Sequence, residues 1–364
     1  MPTTVLVDGW HLAGTSAQRG IGTYLRGVLP LVSSEHGLEV VALAPDGTRL
    51  PDGVSSYRIA RRAPGRFAQR EHDLRLPHDI TRAAKRTGAD VFFSPADNPP
   101  SRTPLPWVQM LHDVIPLAVG DPAMAQDAAR WRQLAPRLRS ADAIVTNSRC
   151  TADDAVRFLD VDPARLHVSP LGVDPRFRPP DEPVHGTPPT ILYVGEYGPH
   201  KGFAEAFAVA AAVAHAGLPH RLAMVGSLAP WYRPVVEELL AGSARPDRVD
   251  LLDYVEDIVR AYQQADALIV TSSYEGFCFP ALEAMACGTP VVAFSNSALP
   301  EVLGDAGTLI PDGDVDAFAA ALVHLLAEPT ARAHASARGI ERARTFTWDR
   351  CARTHAEVLR SVAR

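Results

Sequence analysis

Residues 267–293 read ALIVTSSYEGFCFPALEAMACGTPVVA, and this stretch decides the fold. Its two ends, 267–270 and 291–293, are short apolar runs, which are typical of buried strands. Between them lies a loop, and a helix is expected to follow it, because Pro280 is suited to the first turn of a helix. A strand–helix–strand unit joins parallel strands, so the stretch predicts a parallel sheet covered by helices.

The same alternation extends along the whole chain. Helical spacing lies between most of the apolar runs, for example at 24–32 and 151–159. The pattern predicts an α/β fold made of two doubly wound, Rossmann-like domains. The predicted strands are 5–7, 40–43, 91–93, 107–111, 143–145, 167–168, 191–194, 222–225, 249–252, 267–270, 291–293 and 308–310.

The domain boundary lies in a stretch that is dense in Pro and Gly. Residues 170–189 read PLGVDPRFRPPDEPVHGTPP and show little periodicity, which is typical of a linker. We therefore predict a first domain at 1–175 and a second at 186–347. The final helix, about 348–364, is expected to pack back on the first domain.

Composition narrows the class of protein. The chain has 364 residues, a formal net charge of -6 and four scattered cysteines without a CxxC pair. These features argue against nucleic-acid binding, a metal site and a disulfide framework. The sequence start lacks the pattern of a secretory signal, and no apolar run approaches the roughly 20 residues of a membrane helix. We expect a cytoplasmic protein.

One segment, 58–86, is basic although the chain as a whole has a negative net charge. It contains nine Lys or Arg and three acidic residues. Two interpretations stay open: a solvated, arginine-rich helix face, or a surface that contacts anionic lipid or an anionic acceptor at the inner face of the membrane.

Two glutamates in the first-quoted stretch are candidate ligand-binding residues. Glu275 follows a predicted strand, and Glu283 lies in the first turns of the next helix, whose amino-terminal end suits a diphosphate. An acidic residue at this place can hold ribose hydroxyls. Any strand–loop–helix unit can also carry two glutamates without function.

Other candidates follow further strands. The segment ILYVGEYGPHKG ends a strand at Gly195 and is expected to begin a helix at Lys201, a cation for phosphate. In the first half, RGIGTYLRGV contains a Gly-containing loop at Gly20 and Gly22 but lacks the third glycine of a dinucleotide fingerprint, which disfavours NAD. MLHDVIPL ends a strand at His112, and Ser148 is a candidate helix N-cap.

The stretch YEGFCFPALEAMACGTPVV, with ALPEVLGDAG, GIGTY, HDVIPL and DYVED, resembles family 4 (group 1) of the retaining GT-B glycosyltransferases. The nearest spelling is to mannosyl- and rhamnosyltransferase-like members. The resemblance implies a GT-B fold, two Rossmann-like domains facing a central cleft, and matching motifs run from about residue 20 to 305.

The resemblance also implies the roles of individual residues. His112, Glu275 and Lys201 would be catalytic, with His112 holding a hydroxyl near the reacting sugar and Glu275 contacting the donor sugar. Glu283 would bind ribose. His200 stands where relatives have Arg, and Cys278 where many have Gly. The implied donor-side residues are Gly20, Gly22, Gly195, His200, Lys201, Tyr254, Val255, Glu275, Gly276, Phe277, Cys278, Ala281, Leu282 and Glu283.

The implied activity is transfer of a sugar from a nucleotide-diphosphate donor (GDP-, UDP- or dTDP-sugar) to a glycan, a lipid-linked glycan or a specialised metabolite. Retention of anomeric configuration is expected, with no cofactor and no metal, because no DxD-like cluster ends a strand. Two alternatives stay open: a GT-B sugar-nucleotide epimerase or hydrolase, and a catalytically weak GT-B partner subunit.

Overall fold

The structure is a computed structural model that describes residues 2–13, 17, 20–60, 68–182, 184, 188–196, 198–228, 230–253 and 255–364. The chain forms two compact units. The first contains Met1–Gly120, Met124–Gly172 and Thr347–Arg364, and the second contains Asp121–Ala123 and Val173–Phe346. The sequence placed the end of the first domain at residue 175, and the units divide after Gly172.

The first unit is built on a seven-stranded parallel sheet with helices between its strands. The strand order is β3-β2-β1-β4-β5-β6-β7. Before the linker its elements are β1 (Thr4–Asp8), α1 (Gly20–Ser34), β2 (Glu39–Pro45), β3 (Val54–Ile59), α2 (Ala68–Thr87), β4 (Val91–Ser94), β5 (Trp107–Leu111), α3 (Ile115–Val119), α4 (Ala125–Leu138), β6 (Ala143–Thr146), α5 (Arg149–Leu159) and β7 (Leu166–Val168).

The second unit is built on a six-stranded parallel sheet in the order β10-β9-β8-β11-β12-β13. Its elements are β8 (Thr190–Val194), α6 (Phe203–His215), β9 (Arg221–Val225), α7 (Arg233–Ala241), β10 (Val249–Leu252), α8 (Ile258–Gln264), β11 (Ala267–Val270), α9 (Phe279–Ala286), β12 (Val291–Phe294), α10 (Leu299–Leu303), β13 (Thr308–Ile310), α11 (Val315–Ala327) and α12 (Pro329–Ala343).

Both sheets have the strand order of a Rossmann fold. The order reverses between β1 and β4 in the first unit and between β8 and β11 in the second. Open α/β sheets bind ligands at the carboxyl ends of the strands beside such a reversal. The doubly wound α/β fold predicted for each half is confirmed, and the reversal points show where to look for the sites.

One strand of the first sheet was not predicted. β3 has the sequence VSSYRI and pairs only with β2, at the edge of the sheet. Ser55 and Ser56 are exposed, so the strand has no continuous apolar run to mark it. Its hydrogen bonds to β2, rather than buried side chains, define it.

The last helix, α13 (Trp348–Val362), belongs to the first unit and packs on α1. A Cβ at Gly27 would lie 2.3 Å from the Trp348 ring, so the glycine permits the close approach. The Tyr24 hydroxyl lies 2.6 Å from Nε2 of His355, both buried. Among the helices that the structure describes, none has the length and apolar character needed to cross a lipid bilayer.

Candidate functional site

The two strands at the reversal in the second unit each lead to one charged side chain. Lys201 ends a 3-10 turn (Pro199–Lys201) after β8, and Glu275 lies in the loop after β11. Nζ of Lys201 is 2.6 Å from Oε1 of Glu275. The Ser272 hydroxyl donates to the same oxygen at 2.7 Å. The side chains of the ion pair are only 15% and 12% exposed, so the pair is largely removed from water.

Gly202 allows the backbone of Lys201 to approach the end of β11. Its φ is +64°, and a Cβ there would lie 2.0 Å from the carbonyl oxygen of Thr271. The Thr271 hydroxyl donates to the Gly202 carbonyl at 2.8 Å, and the Tyr193 hydroxyl donates to that of Lys201 at 3.1 Å. The prediction that Lys201 begins a helix is wrong, because this turn intervenes and α6 begins at Phe203.

The electrostatics of the pair keep Glu275 ionised. Burial raises the pKa of the Glu275 carboxyl. The Lys201 ammonium and the hydrogen bonds from Lys201 and Ser272 act in the opposite direction, and the net shift of the pKa is downward. The Glu275 N–H donates to the Ser297 hydroxyl oxygen at 2.8 Å. The carboxylate is therefore held in place through both its side chain and its backbone.

The loop that follows Glu275 presents backbone donors at the start of α9. Phe277 and Cys278 are buried, and within the described ranges their N–H groups have no hydrogen-bond partner. Unpaired N–H groups at a helix start are suited to bind an anion. The N–H groups of Ala281 and Leu282 donate to the Cys278 carbonyl at 3.2 and 3.4 Å and so stabilise the first turn.

Cys278 has a left-handed backbone at the start of this helix. Its φ is 75° and its ψ is 70°. Gly276, two residues earlier, belongs to the same loop. A side chain at positive φ is strained, which gives a physical reason for the glycine that the resemblance leads one to expect at position 278. The thiol is buried, which raises its pKa beyond the range of a reactive thiolate.

Glu283 lies in the second turn of α9. The Tyr262 hydroxyl donates to its Oε2 at 2.9 Å. Burial raises the pKa of Glu283 to about 7, against the lowering effect of this hydrogen bond and of Arg176. No hydrogen bond to Oε1 occurs among the residues that the structure covers, so this oxygen is available to a ligand hydroxyl.

His200 does not supply a second cation. Burial and the neighbouring Lys201 charge lower its pKa to about 4, so the ring is neutral at physiological pH. Its Nδ1 is buried and has no hydrogen-bond partner in the described part of the chain. The Ser273 N–H donates to the His200 carbonyl at 2.9 Å, so the residue also joins the turn to the β11 loop.

The other donor-side predictions differ in outcome. The Gly195 N–H donates to the Val225 carbonyl at 3.0 Å, which extends the pairing of β8 with β9 next to Lys201. Val255 is half-buried between β10 and α8, and Tyr254 lies outside the described residues. Their contact with a nucleobase stays a prediction.

Gly20 and Gly22 do not form a loop. Both lie in the first turn of α1. A Cβ at Gly22 would lie 2.3 Å from the Ala17 carbonyl oxygen, so this glycine is required by packing, whereas Gly20 has open space around it. Arg19, between the strand and this helix, lies outside the described residues.

His112 follows β5 in the first unit. Its Nε2 lies 2.8 Å from the Pro95 carbonyl oxygen. Because a carbonyl only accepts, Nε2 carries the proton and Nδ1 is the acceptor. Burial lowers the pKa of the ring, so it is neutral. The His112 N–H donates to Asp97 Oδ1 at 3.0 Å, and Tyr24 packs edge-on against the ring.

A buried pair beside the first reversal was missed by the sequence analysis. Asp8 ends β1, and its Oδ2 lies 2.9 Å from Nε2 of His72 on α2. Trp10 stacks on the His72 ring at 4.6 Å. Burial raises the pKa of Asp8, but the charges of His72 and His11 and the hydrogen bonds from His72 and the Trp10 N–H lower it, and the net shift is downward. An acidic residue that ends the first strand was the available signal, whereas nothing local in the sequence indicates the histidine.

The basic segment is divided between elements. Arg58 is on β3 and pairs with Asp46 at 2.8 Å. Arg61, Arg62 and Arg66 lie outside the described residues. The exposed side chains of α2 include five cations, together with Leu74 at 74% exposure. These cations are Arg70, Arg75, Arg82, Lys85 and Arg86.

Two further predictions concern caps and metals. The Ser148 hydroxyl accepts the Thr151 N–H at 3.0 Å, so its role as the N-cap of α5 is confirmed. In the described portion of the chain, no three His, Cys, Asp or Glu side chains converge on a point that suits a metal ion.

Both halves of the chain match families of known proteins. Residues 18–177 match the family described as Glycosyltransferase Family 4, and residues 188–328 match the one described as Glycosyl transferases group 1. The O-antigen chain mannosyltransferase B of Escherichia coli is 40% identical over 123 residues, 33% of this chain and 32% of that protein. The MMP alpha-(1->4)-mannosyltransferase of Mycolicibacterium hassiacum is 33% identical over 61% of this chain and 54% of its own length.

One curated relative aligns over most of both chains. The D-inositol 3-phosphate glycosyltransferase of Kineococcus radiotolerans is 29% identical over 91% of this chain and 82% of its own. The chain spans about a third of the length of the Escherichia coli mannosyltransferase and about half of that of the Mycolicibacterium hassiacum enzyme. Among solved structures, sucrose-phosphate synthase of Thermosynechococcus elongatus has a TM-score of 0.80 at 22% identity over 99% of both chains. Anabaena HepE with UDP and glucose has a TM-score of 0.71 at 17% identity, over 99% of this chain and 100% of that one.

The two doubly wound, Rossmann-like units have the fold of the GT-B glycosyltransferases. The chain belongs to family 4 (group 1) of these glycosyltransferases, as the matches over both of its halves show.

Proposed function

We propose that this protein is a retaining, metal-independent hexosyltransferase. It moves a sugar from a nucleoside-diphosphate donor to a hydroxyl of a glycan, a lipid-linked glycan or a specialised metabolite. The observation that carries the proposal is the buried Lys201–Glu275 pair beside the unpaired N–H groups of Phe277 and Cys278. A diphosphate ester of a sugar has both the anionic and the hydroxyl groups that such a site binds.

Each group in the second unit has a part of the donor to bind. The Lys201 ammonium and the two amides face the diphosphate, where a point charge and a helix start stabilise anionic oxygens. The Glu275 carboxylate accepts hydrogen bonds from hydroxyls of the donor sugar. Oε1 of Glu283 accepts from a ribose hydroxyl while Tyr262 holds Oε2.

Transfer breaks the bond between the anomeric carbon and the diphosphate oxygen and forms a bond to the acceptor oxygen. Negative charge grows on the leaving diphosphate, and donors already in place stabilise it without rearrangement. Lys201 and the loop amides would supply this charge stabilisation in place of a metal ion. The acceptor proton leaves with the diphosphate oxygen.

Support for retention comes from the state of Glu275. Its carboxylate is tied to Lys201 and Ser272, so it is a poor base for the acceptor proton. Transfer of that proton to the leaving diphosphate oxygen is therefore favoured, on the face of the sugar from which the diphosphate departs. The new bond then has the configuration of the old one.

The test is turnover of UDP-, GDP- and dTDP-sugars with and without an acceptor panel, in the presence of EDTA. We expect one donor to be consumed faster with acceptor, and NMR of the product to show the anomeric configuration of the donor. An inverted product contradicts retention. If the donor is converted and no acceptor accelerates the reaction, the protein is an epimerase or hydrolase. Binding without turnover supports a catalytically weak partner subunit. The neutral His200 makes this subunit the second candidate function.

For a lipid-linked acceptor we also propose that the exposed cations of α2 contact anionic lipid at the inner face of the membrane. Each cation near such a surface contributes about 1 kcal/mol to the free energy of membrane binding. Sedimentation with vesicles of anionic lipid, but not of neutral lipid, is expected for the wild type. Equal sedimentation after Arg75→Gln, Arg82→Gln and Arg86→Gln together contradicts the proposal.

A further inference from the structure

A cavity of about 230 Å³ lies in the first unit at the carboxyl ends of β4 and β5. One wall is formed by the segments that follow these strands. The opposite wall is one face of α4, where side chains three or four residues apart lie together. The lining residues are Asp97, Asp113, Pro116, Asp127, Arg130, Trp131 and Leu134.

The cavity adjoins His112 through two of its residues. Asp113 is the next residue in the chain, and Asp97 accepts the His112 N–H at 3.0 Å. A ligand in the cavity would therefore lie next to the backbone of His112, the residue that the resemblance implies holds a sugar hydroxyl. The cavity is thus a candidate for the acceptor.

The lining combines an apolar side and a polar side. Trp131 and Leu134 on α4 and Pro116 on α3 are apolar, whereas three carboxyl groups and one guanidinium are polar. A sugar ring has one apolar C–H face, which packs on an indole, and an edge of hydroxyls, which donate to carboxylates. The volume is on the order of one monosaccharide and lies just below the range of about 300–1,000 Å³ that is usual for the pockets of larger ligands.

Asp97 has an oxygen to offer. Its Oδ1 takes the His112 N–H, and Oδ2 has no hydrogen-bond partner within the described ranges. Burial raises the pKa of this carboxyl to about 7, although the His112 N–H and Arg130 lower it. The Asp97 side chain is partly exposed, and a ligand hydroxyl that donates to this oxygen would add a stabilising hydrogen bond.

The charge of the lining selects among acceptors. Three carboxyl groups face one guanidinium, and Arg130 also donates to Asn98 Oδ1 at 3.3 Å. A phosphate or carboxylate on the ligand would meet like charges at short range. One relative has inositol 3-phosphate in its name, and such an anionic group would be disfavoured here.

We propose that this cavity binds the terminal sugar of the acceptor and that this sugar carries no anionic group. Its hydroxyls donate to Asp97, Asp113 and Asp127, and its apolar face packs on Trp131. The inference rests on the proposed function for the identity of the ligand as an acceptor. Its chemistry, an uncharged pyranose, follows from the cavity itself.

The test is direct binding, measured by saturation-transfer NMR on the full chain without donor. The probes are methyl glycosides of mannose, glucose, galactose, rhamnose and N-acetylglucosamine, each compared with mannose 6-phosphate and glucose 6-phosphate. We expect at least one methyl glycoside to bind at least tenfold more tightly than either phosphate. Asp127 and Arg130 are exposed, so Asp127→Asn and Arg130→Gln should fold, and we expect each to weaken glycoside binding at least fivefold.

Matched controls are Arg132→Gln on the same helix and Asp153→Asn on α5, both exposed residues outside the cavity lining. Unchanged binding in the controls supports the site. Binding of the phosphates in preference to the glycosides, no glycoside binding, or equal affinity in Asp127→Asn overturns the inference. Donor binding is measured separately by thermal shift, so a failure of the donor site is distinguishable from a failure of this cavity.

Discussion

Lys201 and Glu275 are 74 residues apart in sequence, yet Nζ of the lysine lies 2.6 Å from Oε1 of the glutamate. They meet because β8 and β11 are neighbours at the reversal of strand order. The sequence indicated each residue as a ligand for a different part of the donor. The structure adds that each is the partner of the other, so stability and donor binding depend on the same two side chains.

Lys201→Met is expected to affect stability and activity together. Removing one member of a largely buried pair leaves the other charge uncompensated, which costs about 3 kcal/mol of unfolding free energy. Loss of charge stabilisation at the leaving group is expected to lower kcat by about 100-fold or more. Urea denaturation and donor turnover measure the two effects.

A second substitution separates these two effects. Adding Glu275→Gln to Lys201→Met should recover part of the stability, because no buried charge is then left alone, but none of the activity. Lys85, the only other lysine in the sequence, is an exposed control, and Lys85→Met should change neither quantity. Recovery of activity in the double variant would show that Lys201 acts only through Glu275.

Donor affinity is expected to rise with pH through Glu283. Its pKa is about 7, and only the ionised carboxylate accepts hydrogen bonds at both oxygens. Affinity for a nucleotide sugar, whose diphosphate does not titrate in this range, should increase about tenfold from pH 6 to pH 8. Calorimetry at each pH measures it, and Glu283→Gln should remove the dependence.

The raised pKa of Glu283 has the opposite effect on the stability of the free protein, which is expected to decrease as pH rises. The folded state holds the Glu283 proton more tightly than the unfolded state, so this stability is complete below about pH 4.5 and is lost as pH rises through 7. A wild-type stability profile that matches that of Glu283→Gln over this range would contradict the assigned pKa.

At position 278, substitution by glycine is expected to give a more stable protein than substitution by alanine. Its φ of 75° strains any side chain, and glycine removes that strain, so Cys278→Gly should be more stable than Cys278→Ala by about 1 kcal/mol. Cys287 provides the opposite case, since its φ is -77°. There the alanine variant should be the more stable, and the same order at both positions would contradict the explanation.

His200→Gln is expected to leave donor affinity within about threefold of the wild type. The imidazole is neutral above its pKa of about 4, so a neutral side chain of similar size preserves the local charge. The pH profile of turnover between 5.5 and 8 should also be unchanged. A loss of more than tenfold would mean that His200 is protonated when the diphosphate is bound.

The sequence predicted the fold through its buried strands. Each apolar run that was predicted to be a strand is a strand of the structure. β3 was missed because its Ser55 and Ser56 are exposed at a sheet edge, where backbone pairing alone defines the strand. Local hydrophobic pattern contains no information about such pairing.

The site was predicted in part, for a similar reason. Motifs adjacent in sequence, such as the loop around Glu275 and Glu283, were recognisable. The Asp8–His72 pair spans 64 residues and depends on how α2 packs against β1. The positive φ of Cys278 and the packing of Gly22 on Ala17 are backbone properties that residue types alone do not determine.

The most direct test of the central claim is calorimetric titration of the protein with GDP-, UDP- and dTDP-sugars, in parallel with Lys201→Ala and Glu283→Ala. The account predicts that the wild type binds one nucleotide in preference to the others and that both variants lose at least tenfold in affinity while remaining folded by circular dichroism. No binding of any nucleotide sugar by the folded wild type, or equal affinity in both variants, would contradict the assignment of the donor site.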